Sequence, residues 1–208
     1  MKLLLTSGGI TTQKIADELN KLVGQGGKKV AFVPTAANAE PNGPWFLEQV
    51  DNLRKFGFDQ IDFVDPSAAE NDWRSRLNKS DIIFVSGGNT FHLLKQTRDS
   101  GFGEWLKQNI DRKIYVGSSA GSILATPSIA AASVDHGDRN IPGLKDLTGL
   151  NLVDFELSPH TPTEVSDKGN REYAATIANK LYGINDQSAI LVSGNKIKVV
   201  HDGDFWEY

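Results

Sequence analysis

Cysteine is missing from this chain, methionine occurs once, and histidine only four times. Without cysteine there is no disulfide scaffold, no thiol nucleophile and no thiolate-ligated metal, and a reducing compartment fits. Long apolar runs are missing as well, so no membrane-spanning segment is expected. The start, Met1-Lys-Leu-Leu-Leu-Thr6, is too short for the apolar core of a signal peptide and reads as a first strand. Nor is there a basic stripe: 22 Lys and Arg face 26 Asp and Glu, and the net charge of −4 is spread along the chain. No nucleic-acid partner is therefore expected. H-E-x-x-H and GxGxxG are both absent, which leaves neither a zinc nor a dinucleotide fingerprint. The expectation is a cytoplasmic protein with no membrane association, no metal and no organic cofactor.

What is present points to one domain over residues 1–208, long enough for a sizeable core. Short continuous apolar runs at 2–6, 29–33, 60–65, 81–85 and 114–116 alternate with segments of helical periodicity. That order predicts an α/β fold: a mostly parallel, doubly wound sheet with helices on both faces. Thr11 or Thr12 can cap the first helix, and Pro44 opens the second. A polar helix is expected near 69–78. Residues 125–150 form a long irregular connection, which favours a functional loop. A strand over 155–160 follows, then a helix over 170–182 with Tyr173, Ile177 and Leu181 in phase and Gly183 as its C′ residue. Runs at 188–192, 196–201 and 205–208 predict a small C-terminal β-meander.

The candidate chemistry centres on Gly117-Ser-Ser-Ala-Gly121. It follows an apolar run and precedes Ile123 and Leu124, so it reads as strand, sharp turn, helix. This is the setting of a G-x-S-x-G nucleophile elbow with Ser119 at its tip. The pattern alone serves equally as a tight turn or an anion loop. A reacting serine needs a base. His92 falls in an expected helix, His201 near a C-terminal strand and His136 in the long loop. His160 lies just beyond a strand and after Pro159. Ligands of an open parallel sheet bind beyond the carboxyl ends of its strands, where Ser119 also lies. His160 is therefore the candidate base. An orienting carboxylate has four candidates, Asp135, Asp138, Glu164 and Asp186, and spacing does not choose among them. Ser86-Gly-Gly-Asn-Thr90 follows another strand. The N–H of Gly88, or Gly87, can join that of Ala120 as an oxyanion hole, or the turn can be a phosphate nest.

Phe84-Val-Ser-Gly-Gly-Asn-Thr-Phe91, Gly117-Ser-Ser-Ala-Gly121 and Ser158-Pro-His160 occur in that order. With the Thr6-Ser-Gly-Gly9 start and the C-terminal strands, they resemble the peptidase E (dipeptidase E, alpha-aspartyl dipeptidase) family of serine peptidases over nearly the whole chain. Cyanophycinases are more distant members. The resemblance implies a fold akin to class I glutamine amidotransferases, with serine in place of their cysteine. It implies Ser119 as nucleophile, His160 as general base, and Gly88 and Ala120 as oxyanion hole. A family glutamate near the C-terminus falls on Asp186 in Gly183-Ile-Asn-Asp-Gln-Ser-Ala189, with Asp135 as rival. Arg171, in Gly169-Asn-Arg-Glu172, matches a family segment and is a candidate for binding a substrate carboxylate; a surface pair with Asp167 or Glu172 explains it equally. Asn89 is a second candidate substrate contact. The expected function is a serine peptidase acting on short peptides. The alternatives are a cyanophycinase-like or other amide hydrolase, and a non-catalytic binding protein on the same fold. Ser158 stands where the family commonly has Asn, and the loop before His160 is longer than in aspartyl dipeptidases; both lie close to where substrate would bind, so the resemblance leaves Asp-X dipeptides and other short peptides both open. A homodimer is an expectation on general grounds only.

Overall fold

The computed structural model describes residues 1–40, 45–68, 72–161 and 164–208, with the backbone alone for Asp135, His136, Glu164 and Val165. Its main sheet holds β1 (Lys2–Thr6), β2 (Val30–Val33), β3 (Ile61–Phe63), β4 (Ile82–Val85) and β5 (Ile114–Ser118), all parallel. β8 (Ser188–Ser193) and β9 (Lys196–His201) are added antiparallel on one side, giving the order β3-β2-β4-β5-β1-β8-β9. The alternation of side chains across each strand divides the core in two. Leu4, Phe32, Phe84 and Val116 pack with Ile15 and Leu19 of α1 (Gln13–Val23) and Val50 and Leu53 of α2 (Trp45–Lys55). Leu3, Leu5, Val33 and Tyr115 pack on the opposite face. Their partners there lie on α3 (Trp73–Asn78), α4 (Thr90–Asp99), α5 (Phe102–Asn109) and α6 (Ala120–Leu124). Strands covered on both faces must be apolar throughout, and β2 and β4 are buried at every position.

Register places the site. Gly117 pairs with Val85 on one side and Leu5 on the other, so β4, β5 and β1 end level. Just past that row lie Gly87 and Gly88, Ser119, and Ser7. A second, small sheet has the order β10-β7-β6. Here β6 (Glu156–Ser158) and β7 (Leu181–Ile184) are parallel, so they too end together, delivering His160 and Asp186. The Thr161 N–H donates to the Ile184 carbonyl at 3.1 Å and ties the two exits.

Three expectations are corrected. The helix predicted over 170–182 is α7 (Glu164–Ala174), and Leu181 and Tyr182 belong to β7. A short apolar run suits a buried strand as well as a helix, and pairing on both sides, with β6 and β10 (Phe205–Glu207), decides it. Gly183 is consequently not a helix terminator. It lies mid-strand, where a Cβ would come within 2.9 Å of Thr161 and 3.0 Å of Tyr208. The C-terminal strands form no three-stranded meander: β8 and β9 make a hairpin in the main sheet, while β10 crosses to β7. Thr12, not Thr11, caps α1, accepting from the Ile15 N–H at 3.3 Å. Pro44 and residues 69–71 of the expected polar helix lie outside the described residues. Among the described residues, no helix is long and apolar enough to cross a membrane.

Candidate active site

The turn between β5 and α6 holds Ser119 at φ 48°, ψ −110°, a backbone conformation that side-chain-bearing residues rarely adopt. Its glycine neighbours make that turn sterically possible. A Cβ on Gly121 would lie 2.1 Å from the Val85 carbonyl oxygen, and one on Gly117 would lie 2.7 Å from the Gly121 backbone. The buried Tyr115 hydroxyl donates to the Gly121 carbonyl at 2.6 Å and fastens the helix start to the strand. The other two serines of the segment are committed inward. Ser122 Oγ donates to the Thr6 carbonyl at 2.7 Å, and Ser118 Oγ to the Ser7 carbonyl at 3.1 Å.

Ser119 Oγ faces His160: its distance to Nε2 is 2.9 Å. His160 itself has φ 58° and follows Pro159, so its loop leaves β6 in a fixed direction. On the other side of the ring, Nδ1 lies 2.7 Å from Asp186 Oδ1. The His160 hydrogen bond, aided by one from Ser7, holds the Asp186 carboxyl below the usual carboxylate range, against the opposing effect of burial. An ionised carboxylate only accepts, so the imidazole proton sits on Nδ1 and Nε2 is free to accept from Ser119.

Ser7 was not singled out from the sequence, yet it joins both members of that pair. It is 1% exposed. Its Oγ donates to Asp186 Oδ1 at 2.5 Å and accepts from the His160 N–H at 2.8 Å. Gly8 beside it leaves room for the carboxylate, since a Cβ there would lie 3.2 Å from the Asp186 Cβ. The only sequence signal was Thr6-Ser-Gly-Gly9 at a strand end, level with the elbow.

Gly87 and Gly88 flank the same turn. Gly88 has φ 131°, and a Cβ on it would lie 2.4 Å from the Ala36 backbone; one on Gly87 would lie 3.2 Å from the Ser119 Cβ. Ala120 opens α6, where a backbone N–H has no partner within the helix. Ser119 and His160 stand between two cavities. One, of about 480 Å³, is lined by Glu40, Trp45, Glu48, Gln49, Gly87, Gly88 and Asp138 among others. The second, of about 270 Å³, has the more apolar wall of Ile123, Ala131, Ala132 and Val134.

Several candidates are placed elsewhere. Asn89 is 3% exposed and caps α4, accepting from the His92 N–H at 2.9 Å and donating to the Arg139 carbonyl at 3.0 Å. Its amide is thus engaged structurally and it does not line the larger cavity. Arg171 forks onto Asp167 at 2.9 and 3.2 Å, lies over the Tyr208 ring, and reaches neither cavity. Asp138, by contrast, lines both cavities and accepts from the Thr90 N–H at 2.6 Å. The side chains of Asp135, His136 and Glu164 lie outside the described residues. His92 is half-buried in α4, where burial lowers its pKa, and His201 bonds the Gly203 carbonyl through Nδ1. Among the described residues, no group of three or more His, Asp and Glu converges on a possible metal position.

The model of peptidase family S51 matches residues 3–200. This chain belongs to peptidase family S51, the peptidase E family. It is therefore a peptidase of the peptidase E type. The chain is 34% identical over 181 residues to an uncharacterized peptidase, PM1590, of Pasteurella multocida (strain Pm70), covering 83% of this chain and 84% of that one. It is 27% identical over 191 residues to peptidase E of Salmonella newport (strain SL254), covering 89% and 76%. Among solved structures, a Listeria monocytogenes EGD-e protein assigned to peptidase E superposes with a TM-score of 0.81 at 28% identity, covering 97% and 98%. The S51 chain shares with it the α/β fold and its mixed, mostly parallel sheet.

Proposed function

We propose that this S51 peptidase is of the serine type and hydrolyses short peptides through an acyl-enzyme on Ser119. The observation that carries the reading is the unbroken relay from Ser119 Oγ to His160 Nε2 and from His160 Nδ1 to Asp186 Oδ1, at 2.9 and 2.7 Å. In the first step Ser119 Oγ adds to the peptide carbonyl carbon while its proton passes to His160 Nε2. The carbonyl oxygen becomes an oxyanion, which the N–H groups of Gly88 and Ala120 receive. Collapse of that adduct breaks the C–N bond, and His160 returns the proton to the leaving amine. Water, deprotonated by His160, then repeats the addition and releases the acid. Asp186 holds the ring orientation throughout and balances the imidazolium charge.

Short substrates fit the two modest cavities on either side of the Ser119–His160 pair. A cytoplasmic location belongs to the same reading and is supported by the cysteine-free composition. The test is Ser119→Ala assayed on a dipeptide and isopeptide panel. The expected result is loss of turnover by about a million-fold with an unchanged melting temperature. Retention of wild-type hydrolysis in that variant sinks the assignment. Activity confined to isopeptide bonds would move the enzyme to the cyanophycinase-like alternative.

A further inference from the structure

The Gly87-Gly88 turn is backed by the short 3-10 helix Thr35–Ala39, which follows β2. The contact is backbone on backbone. A Cβ on Gly88 would lie 2.4 Å from the Ala36 carbonyl and 2.7 Å from the Ala37 nitrogen. The Asn89 N–H donates to the Ala36 carbonyl at 3.0 Å, and the Ser86 N–H to the Val33 carbonyl at 3.1 Å. With no side chain between them to absorb a shift, movement of Ala36 passes directly to Gly88.

One carboxylate holds that helix near both ends. β3 pairs in parallel with β2, and the Val64 N–H extends the pairing by donating to the Phe32 carbonyl at 2.9 Å. Asp65 therefore leaves β3 beside the residues that leave β2. Its Oδ1 accepts from Thr35 Oγ at 2.7 Å, and its Oδ2 from Asn38 Nδ2 at 2.6 Å. The Ser67 N–H and Oγ, at 2.9 and 2.7 Å, steady the carboxylate from its own loop. Burial disfavours the charge, but the hydrogen bonds from Thr35, Ser67 and Asn38 outweigh it and hold the Asp65 pKa below the usual carboxylate range. Asp65 lines neither cavity beside Ser119.

We propose that Asp65 is a positioning residue for the oxyanion hole: through Thr35 and Asn38 it fixes the helix against which Gly88 rests, and so the placement of the Gly88 N–H. The proposal deepens the mechanism assigned above and rests on it. An oxyanion donor acts only where its N–H meets the developing charge, so a displacement well below the length of a bond is felt. Both addition steps, by Ser119 and by water, use the hole. The ground-state peptide in the cavities does not depend on it in the same way, so the loss should fall on kcat and leave KM in place.

The test compares Asp65→Ala, the pair Thr35→Val with Asn38→Ala, and all three substitutions together. Each protein is assayed for kcat and KM on the best-cleaved peptide of the panel above. Rates are expressed per serine titrated to completion with a fluorophosphonate, so unfolded molecules drop out of the count. Asp65→Ala and the Thr35, Asn38 pair should each lower kcat per site by about ten- to hundredfold with KM within about twofold. The triple variant should lose no more than Asp65→Ala, because both routes break the same link. Asp65→Asn keeps an acceptor for Thr35 and should recover most of the loss. The rate of fluorophosphonate labelling, whose phosphoryl oxygen enters the same hole, should fall in parallel. Thr35→Val keeps the side-chain shape and Asn38 is exposed, so the pair decides the matter where Asp65→Ala does not fold. Fewer titrated sites at an unchanged rate per site would make Asp65 merely structural and overturn the proposal. So would a change in KM with kcat intact, or a triple variant whose loss is the product of the separate losses. A wild type that is labelled but cleaves no peptide would remove the peptidase reading, while slowed labelling in the variants would leave this proposal standing. An unlabelled wild type overturns both.

Discussion

In the proposed mechanism Asp186 and Ser7 act only through His160, and each has a distinct signature. The folded-state pKa of Asp186 lies below its unfolded value, so its contribution to stability is present above about 3.9 and is lost as pH falls through the lowered value. Asp186→Asn should therefore flatten the acid side of the melting-temperature profile. It should also lower kcat by about four orders of magnitude, because asparagine favours the wrong imidazole tautomer. Full activity in that variant would move the role to Asp135. Ser7→Ala removes the hydrogen bonds to Asp186 and to the His160 backbone. A lost buried bond of about 1–3 kcal/mol, felt in the transition state, corresponds to roughly ten- to hundred-fold in kcat with little change in KM. A KM effect with kcat intact would place Ser7 outside the relay.

At the scale of elements, the elbow and the strand exits were legible from sequence, and the small sheet was not. The runs that became β1, β2, β4 and β5 are apolar at successive positions, as a strand covered on both faces requires, and their shortness and flanking turn residues set them apart from buried helices. Gly117 and Gly121 were readable because the missing Cβ atoms are a steric condition of the turn. Gly121→Ala puts a carbon 2.1 Å from the Val85 carbonyl. It should destabilise the protein by about 3 kcal/mol, visible as a lower urea midpoint, and should remove activity through displacement of Ser119. Wild-type stability in that variant would contradict the close approach of α6 to β4. β7 was misread because Tyr173, Ile177 and Leu181 keep helical spacing by sequence, although the chain turns at Thr176 and pairs from Leu181 onward. Asn89 and Arg171 are candidate contacts by residue type; the structure engages Asn89 in the α4 cap and pairs Arg171 with Asp167.

Across the whole molecule, the relay is divided between two sheets. The main sheet supplies Ser119, Ser7 and the glycine pair; the small sheet supplies His160 and Asp186 from parallel strands that end together. This division explains why sequence left four carboxylates open. The choice depends on strand pairing between segments far apart in the chain, which local periodicity does not encode. It also explains the two cavities, which lie on either side of the contact between Ser119 and His160. In the proposed mechanism this contact makes Ser119 alone nucleophilic. Mass spectrometry after treatment with a fluorophosphonate probe tests it most directly. A single adduct on Ser119 is expected, absent in Ser119→Ala and slowed at least a thousand-fold in His160→Ala. An unlabelled wild type, or an adduct on Ser118 or Ser122 instead, would contradict it.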